Sequence, residues 1–337
     1  MSHGRAALER VVPLLRCPVC GQSMQSSGLT VECTGGHSFD RARQGHLSLF
    51  GPRGRRFPGD GTDQVAARDR VLRSGLFDPL AAALAGVARE ALSRTTDHSR
   101  TGPLRPVVLE PGAGTGFYLA AVVEAVKRAG GDTEKRTGDG LAAREESGPD
   151  APGSDAPRSA VLKSDVLGIG TEISTAAARR LARVHEDVAA LVADTWDGLP
   201  LVDACVDLVQ VVFAPRNPAE FARVLRPGGT LVVAVPGPGH LEPLRSAGGL
   251  LEPAPGKGDR LDADLSGLFG PDAVRTVDVR TEVPASVAVD LALMGPSGVH
   301  LERARLEERL GPADRPVRLQ VEVRTYTLLP TGGPLQQ

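Results

Sequence analysis

Residues 106–116 read Pro-Val-Val-Leu-Glu-Pro-Gly-Ala-Gly-Thr-Gly, and this stretch decides the fold. Pro106–Glu110 is a short apolar run of the kind that forms a buried strand. The turn Pro111–Gly116 follows, and an Ala/Val-rich helix is expected over roughly 117–129. Strand, glycine turn and helix open a doubly wound α/β sheet. The glycines are spaced G-x-G-x-G, behind an acid at the strand end. A dinucleotide site would favour G-x-G-x-x-G and no carboxylate there, because pyrophosphate is anionic. S-adenosylmethionine carries a sulfonium and an amino group, and its cationic end suits a loop that begins with a carboxylate. Glu110, Gly112, Ala113, Gly114 and Gly116 are therefore candidate cofactor-binding residues for S-adenosylmethionine.

Working outward, Val166–Ile173 reads as the second strand and carries Glu172 at its end. A carboxylate there accepts hydrogen bonds from ribose hydroxyls, with Ile173 beside it. Val188–Ala193 reads as the third strand, followed by Asp194 and Thr195, where Asp194 could take the adenine amino group. Each acid alone could equally be a surface or capping carboxylate; in this order on successive strand ends they reinforce one another. Ala204–Phe213 is a fourth strand, Pro218–Leu225 a helix and Thr230–Val235 a fifth strand. Residues 271–283 and 317–328 alternate as edge strands do, with helices expected over Ser286–Met294 and Leu301–Leu310. Residues 131–160, rich in Gly, Pro, Ser and charge, cannot bury enough to order themselves and read as a disordered insertion.

Three of the four cysteines lie at the other end, as Cys17-Pro-Val-Cys20 and then Cys33-Thr-Gly-Gly-His37. Two closely spaced pairs, each on a tight turn, supply the four ligands of a tetrahedral structural zinc site: Cys17, Cys20, Cys33 and His37. Cys205 sits in an apolar strand pattern and reads as core. The net charge of the chain is −2, yet residues 1–73 hold 11 Arg, no Lys and only 6 acids. An Arg-rich module on an acidic body suits a polyanionic partner, although a solvated face gives the same composition. The chain has 8 Phe, 2 Tyr and 1 Trp, too few for recognition by many stacked aromatics. No run reaches the ~20 apolar residues of a membrane span, and the N-terminus has no signal core, so a cytoplasmic protein without a membrane partner is expected.

These motifs together resemble the 23S rRNA (guanine-N1)-methyltransferases, most of all the tylosin-resistance type of actinomycetes. The resemblance rests on "LRCPVCG", "VECTGGHSFDRARQGHLSLF", "TDQVAARDRVLRSGLFDPL", "VLEPGAGTGFYLA", "VFAPRNPAEFARVLRPGGTLVV", "VPGPGHL" and "ALMGPSGVH", and covers nearly the whole chain except 131–160. It implies a class I, Rossmann-like methyltransferase domain with a small zinc module: 1–50 for zinc and RNA recognition, 51–100 connecting, 101–330 catalytic. It implies methyl transfer from S-adenosylmethionine to N1 of a guanine in hairpin 35 of 23S rRNA, resistance to tylosin-type macrolides, and a homodimer. On that basis Asp63, Arg68, Phe213 and Pro215 are candidate catalytic or pocket residues, with Asp63 as base and Arg68 on a phosphate or the guanine O6. Arg41, Arg43, Arg53, Arg55, Arg56 and His240 are candidate RNA contacts. Relatives usually read Gly-His-Tyr where this chain has Gly75-Leu76-Phe77, and Asp where it has Glu110. A methyltransferase acting on a small antibiotic molecule and a non-catalytic zinc RNA-binding protein are the alternative readings.

Overall fold

The computed structural model describes residues 3–52, 54, 55, 57, 59–94, 105–142, 165–248, 256–295, 298 and 301–330. In chain order the elements are α1 (His3–Val11), a 3₁₀ turn (Val12–Leu14), β1 (Met24–Ser27), β2 (Thr30–Cys33), β3 (Ser38–Asp40), β4 (Leu47–Ser48), α2 (Thr62–Arg73) and α3 (Asp78–Arg94). There follow β5 (Val107–Pro111), α4 (Phe117–Ala142), β6 (Leu167–Glu172), α5 (Thr175–Leu181), β7 (Val188–Val192), β8 (Val206–Val212), α6 (Pro218–Val224) and β9 (Leu225–Pro236). The chain closes with α7 (Leu244–Gly248), α8 (Lys257–Leu265), β10 (Phe269–Val283), α9 (Ala285–Met294), α10 (Arg303–Leu310) and β11 (Arg315–Leu328).

Eight strands form one sheet in the order β10-β11-β9-β8-β5-β6-β7-β4. The six strands from β9 to β4 run parallel, while β11 and β10 are added antiparallel. The central strands are fully buried because helices cover both faces. In β5, Val108 joins the core under α3, α4 and α9, while Val107 and Leu109 join the core under α1 and α6. From β5 the chain builds outward to β7, then returns to β8 on the other side of β5. Ligands bind at such a switch point, beyond the carboxyl ends of the strands.

The zinc module is not a separate bead. Its three-stranded antiparallel sheet, β1-β2-β3, leads into β4, which pairs with β7 through Leu47–Leu191 and Ser48–Val192. Cys17, Met24, Val31, Cys33, Leu47 and Leu49 share one apolar core with β5–β9. Residues 1–50, expected as the zinc module, thus contribute the edge strand β4 to the eight-stranded sheet.

Two further expectations are corrected. The helix after the glycine turn does not stop near 129 but runs to Ala142, so residues 131–142 of the expected disordered insertion are helical. Once nucleated, a helix gains a hydrogen bond for each residue it adds and needs no core of its own; residues 143–160 lie outside the described residues. The fifth strand begins at Leu225, not Thr230: Leu225 pairs with Val206, the 226–229 turn loops out, and pairing resumes at Thr230–Leu208. Among the described residues no single helix is long and apolar enough to cross a membrane.

Candidate functional site

The glycine turn lies at the carboxyl end of β5, and each glycine has its own reason. A Cβ on Gly116 would stand 2.6 Å from Leu181 Cδ1, so this position lets α4 and α5 approach. A Cβ on Gly112 would stand 2.7 Å from Ala214 Cβ, at the end of β8. Both residues have positive φ, +84° and +67°. Glu110 is 1% exposed, accepts a 2.8 Å hydrogen bond from Gln210 Nε2, and is pushed up to about 8 by burial. Glu172 accepts from the Gly114 and Ser174 amides at 2.9 and 2.8 Å; burial, opposed by these two bonds, raises its carboxyl above the usual range. Asp194 Oδ1 accepts from the Trp196 amide at 3.0 Å, whereas its buried Oδ2 has no hydrogen-bond partner. Each carboxylate oxygen has room for more than one bond. The edge thus offers acceptors at Glu110, Glu172 and Asp194, on the ends of β5, β6 and β7. These suit the ammonium, ribose and adenine amino groups of S-adenosylmethionine, with Ala113, Ile173 and Thr195 between them.

The connecting segment closes over this edge. Leu49 donates its amide to the Val192 carbonyl at 2.8 Å. Gly59 packs so closely on Ile173 and Ser174 that a Cβ would lie 2.9 Å from each. The Asp60 carbonyl accepts from Ser174 Oγ at 2.7 Å, and its carboxylate pairs with Arg68. Arg68 donates to the Met294 carbonyl at 2.9 Å and lies beside Gly114, whose Cβ would be 3.7 Å from Nη1. This puts Arg68 on the glycine turn. Asp63 is exposed in the first turn of α2.

The end of β8 forms the second wall. Phe213 has φ +52°, a left-handed backbone that is rare for a bulky side chain and is retained where the surroundings enforce it. Its ring meets Phe77 edge-on at 6.5 Å and His240 at 5.6 Å. Phe77 also meets Tyr118 edge-on at 6.5 Å, so the departure from Gly-His-Tyr yields a ring packed between α4 and the end of β8. His240 Nδ1 lies 3.0 Å from the Gln320 carbonyl, to which it donates.

In the N-terminal module, Cys17, Cys20, Cys33 and His37 come together with their ligand atoms within 4.8 Å of one another. Individual separations are 3.6 Å for Cys20–Cys33, 3.4 Å for Cys33–His37 and 3.8 Å for Cys17–His37. A tetrahedron of Zn–S bonds of about 2.3 Å has edges of roughly 3.7 Å, so the four residues fit the ion. Gly35 allows the closure, since a Cβ there would lie 3.1 Å from Cys20 Sγ.

The expected RNA contacts divide. Arg41 is held by the Glu9 carboxylate and Ser26 Oγ, with a side chain 5% exposed, so it braces α1 against β1 and is not presented to a phosphate. Arg43 and Arg55 are exposed, and Arg55 lies over the Phe50 ring at 5.3 Å. Arg53 and Arg56 lie outside the described residues. Sequence reasoning missed Gln210, Gly59, Asp60 and Trp196. Only Gln210 carried a signal, as a lone amide inside the apolar strand VDLVQVV, where a buried polar group needs a partner.

Residues 15–52 match the zinc-ribbon family described as RlmA, N-terminal. The chain is 36% identical over 323 residues to a Micromonospora griseorubida protein described as a candidate 23S rRNA (guanine-N1)-methyltransferase, covering 93% of this chain and 96% of that protein. It is 35% identical over 327 residues to the 23S rRNA (guanine(748)-N1)-methyltransferase of Streptomyces fradiae, covering 96% and 99%. Among solved structures it is similar to a candidate methyltransferase of Bacillus halodurans at 13% identity, covering 73% of this chain and 97% of that one, with a TM-score of 0.42.

Proposed function

This chain belongs to the 23S rRNA (guanine-N1)-methyltransferases, and from that membership we propose that it transfers a methyl group from S-adenosylmethionine to N1 of a guanine in hairpin 35 of 23S rRNA. The observation that carries the reading is the meeting of Gly112 and Ala214 at the switch point between β5 and β8. It sets a donor loop directly against a strained, aromatic-flanked strand end, in a chain whose zinc module is joined to the same sheet. A small-molecule methyltransferase would need the first of these features but not the module.

Guanine N1 lies on the Watson–Crick edge, so the base must be unpaired or flipped to reach the site. Phe213, Ala214 and Pro215 line the place where it would enter, with Phe213 against the ring. Glu110, the 112–116 turn, Glu172, Ile173, Asp194 and Thr195 would hold the donor, which supplies an electrophilic methyl group. Arg68, beside Gly114, suits the donor's carboxylate and so takes a different role from the one its sequence context suggests. The N1–methyl bond forms as the sulfur–methyl bond breaks, so these residues act chiefly by alignment. The N1 proton leaves to water or to a group at this edge; His240 stands beside Phe213, whereas Asp63 is exposed on α2. Zinc would supply a cross-link that fixes both turns of the module. Arg43 and Arg55, with Arg53 and Arg56, would meet the phosphates, making binding fall steeply with salt.

Bacterial ribosomal RNA is cytoplasmic, and the protein would act there; methylation at that hairpin would contribute to tylosin-type resistance. A homodimer belongs to the same reading and is tested by sedimentation at micromolar protein. The activity is tested by transfer of a radiolabelled methyl group to unmodified 23S rRNA. Label in RNA supports the reading, and donor binding without transfer to any RNA would overturn it.

A further inference from the structure

The sequence holds 8 Phe, 2 Tyr and 1 Trp. Of these only Phe57, Trp196 and Phe213 are exposed, at 59, 52 and 43%. Exposure of a large ring forfeits the burial that such side chains normally provide. All three nevertheless lie on loops at the carboxyl edge of the parallel strands. Phe57 precedes the Gly59–Asp60 contact on Ser174, Trp196 follows β7, and Phe213 follows β8.

Trp196 is held through its backbone. Its amide donates to Asp194 Oδ1 at 3.0 Å. Asn217, which caps α6, donates its side-chain amide to the Thr195 carbonyl at 3.0 Å, tying this loop to the 213–217 turn. The indole is thus presented on a rigid support rather than packed away. Beside it lies a cavity of about 310 Å³, whose walls include Trp196, Ala214, Pro215, Arg216, Asp264 and Leu265. The lining thus combines one indole with small and apolar side chains, one cation and one carboxylate. That is the chemistry of a site for a planar, polar-edged ring. Ala214 connects it to the methyl-transfer edge, since Ala214 packs on Gly112, and Phe213 is the next residue.

We propose that Trp196 and this cavity bind an unpaired nucleobase of the substrate RNA adjacent to the target guanine. The assignment rests on the rRNA reading above and adds a second base contact to it. Phe213 takes the target, Trp196 stacks on its neighbour, and Arg216 neutralises the phosphate between them. The module then supplies affinity while the two rings select for an opened, single-stranded geometry. Stacking of one base on an aromatic side chain corresponds to a roughly 5- to 150-fold effect on affinity.

Trp196 is the single tryptophan, so its fluorescence reports on this site alone. Zinc-loaded full-length protein, saturated with S-adenosylhomocysteine, is titrated with an RNA of the hairpin-35 sequence. The expected result is quenching on binding, which an abasic substitution at one position flanking the target abolishes. Trp196→Ala weakens RNA binding at least 5-fold without changing S-adenosylhomocysteine affinity, and Trp196→Phe restores most of it. Quenching that survives abasic substitution at every flanking position would overturn the proposal, as would wild-type RNA affinity in Trp196→Ala. So would a loss of S-adenosylhomocysteine affinity in Trp196→Ala, which would place the indole on the donor. Wild-type protein that binds no such RNA would overturn the rRNA reading, and this assignment with it.

Discussion

Replacing Glu110 by Gln isolates the electrostatics of the donor site. The carboxyl is fully buried, and burial lifts it from the usual range to about 8, against the hydrogen bond from Gln210. At about 1.4 kcal/mol per unit, ionising it in the donor-free protein costs roughly 5 kcal/mol more than in the unfolded chain. Between pH 4.5 and about 8 the native state holds a proton that the unfolded state has released. Stability therefore falls as pH rises through this window and levels off above it. From pH 6 to 8 the difference between wild type and Glu110→Gln should shift by about 2–3 kcal/mol, the variant gaining relative stability. Urea unfolding of zinc-loaded, donor-free protein at several pH values measures it. Donor binding runs the other way, because the ammonium group favours the ionised carboxylate. Wild type should release close to one proton per donor at pH 7, read by calorimetry in buffers of different ionisation enthalpy, and the variant none. Parallel stability curves together with equal proton release in the two proteins would refute the argument.

Other consequences are more local. Arg68→Ala should weaken S-adenosylhomocysteine binding about 10-fold or more, but leave 5′-methylthioadenosine, which lacks the carboxylate, nearly unchanged; an equal loss for both ligands would count against the carboxylate role. Gly116→Ala sets a Cβ 2.6 Å from Leu181 at φ +84°, and should cost about 1–3 kcal/mol in urea unfolding. Removing zinc by chelation should melt the turns around Cys17–Cys20 and Cys33–His37 and, through β4 on β7, raise the donor Kd. Limited proteolysis and a donor titration follow the two effects, and zinc content of one per chain in the starting protein is the control.

The sheet was legible because its central strands are buried on both faces and read as unbroken apolar runs, while Gly112, Gly114 and Gly116 mark the turn. The zinc ligands were legible because one ion imposes a spacing on its two turns. What escaped was non-local. Leu47 and Ser48, with the Leu49 amide on Val192, join the zinc module to β7, too short a run to leave a period in the sequence. Gly59 and Asp60 matter only because Ser174 lies across from them. Arg41 and Arg43 look alike in an Arg-rich run, but Glu9, thirty-two residues earlier, takes one of them. Trp196 sits in a loop whose composition says nothing about exposure; the scarcity of aromatics argued against a stacked sheet surface, and three exposed rings on one edge are a different arrangement.

The central claim is a methyl group on N1 of one guanine. Unmodified 23S rRNA is incubated with the purified protein and S-adenosylmethionine, and reverse transcription is run across hairpin 35. Because N1 methylation blocks Watson–Crick pairing, the account predicts a new stop that requires both donor and protein and is lost in Gly112→Ala, where the donor loop would collide with Ala214. Full read-through of that hairpin, with labelled methyl groups recovered elsewhere in the RNA or in a small molecule, would contradict it.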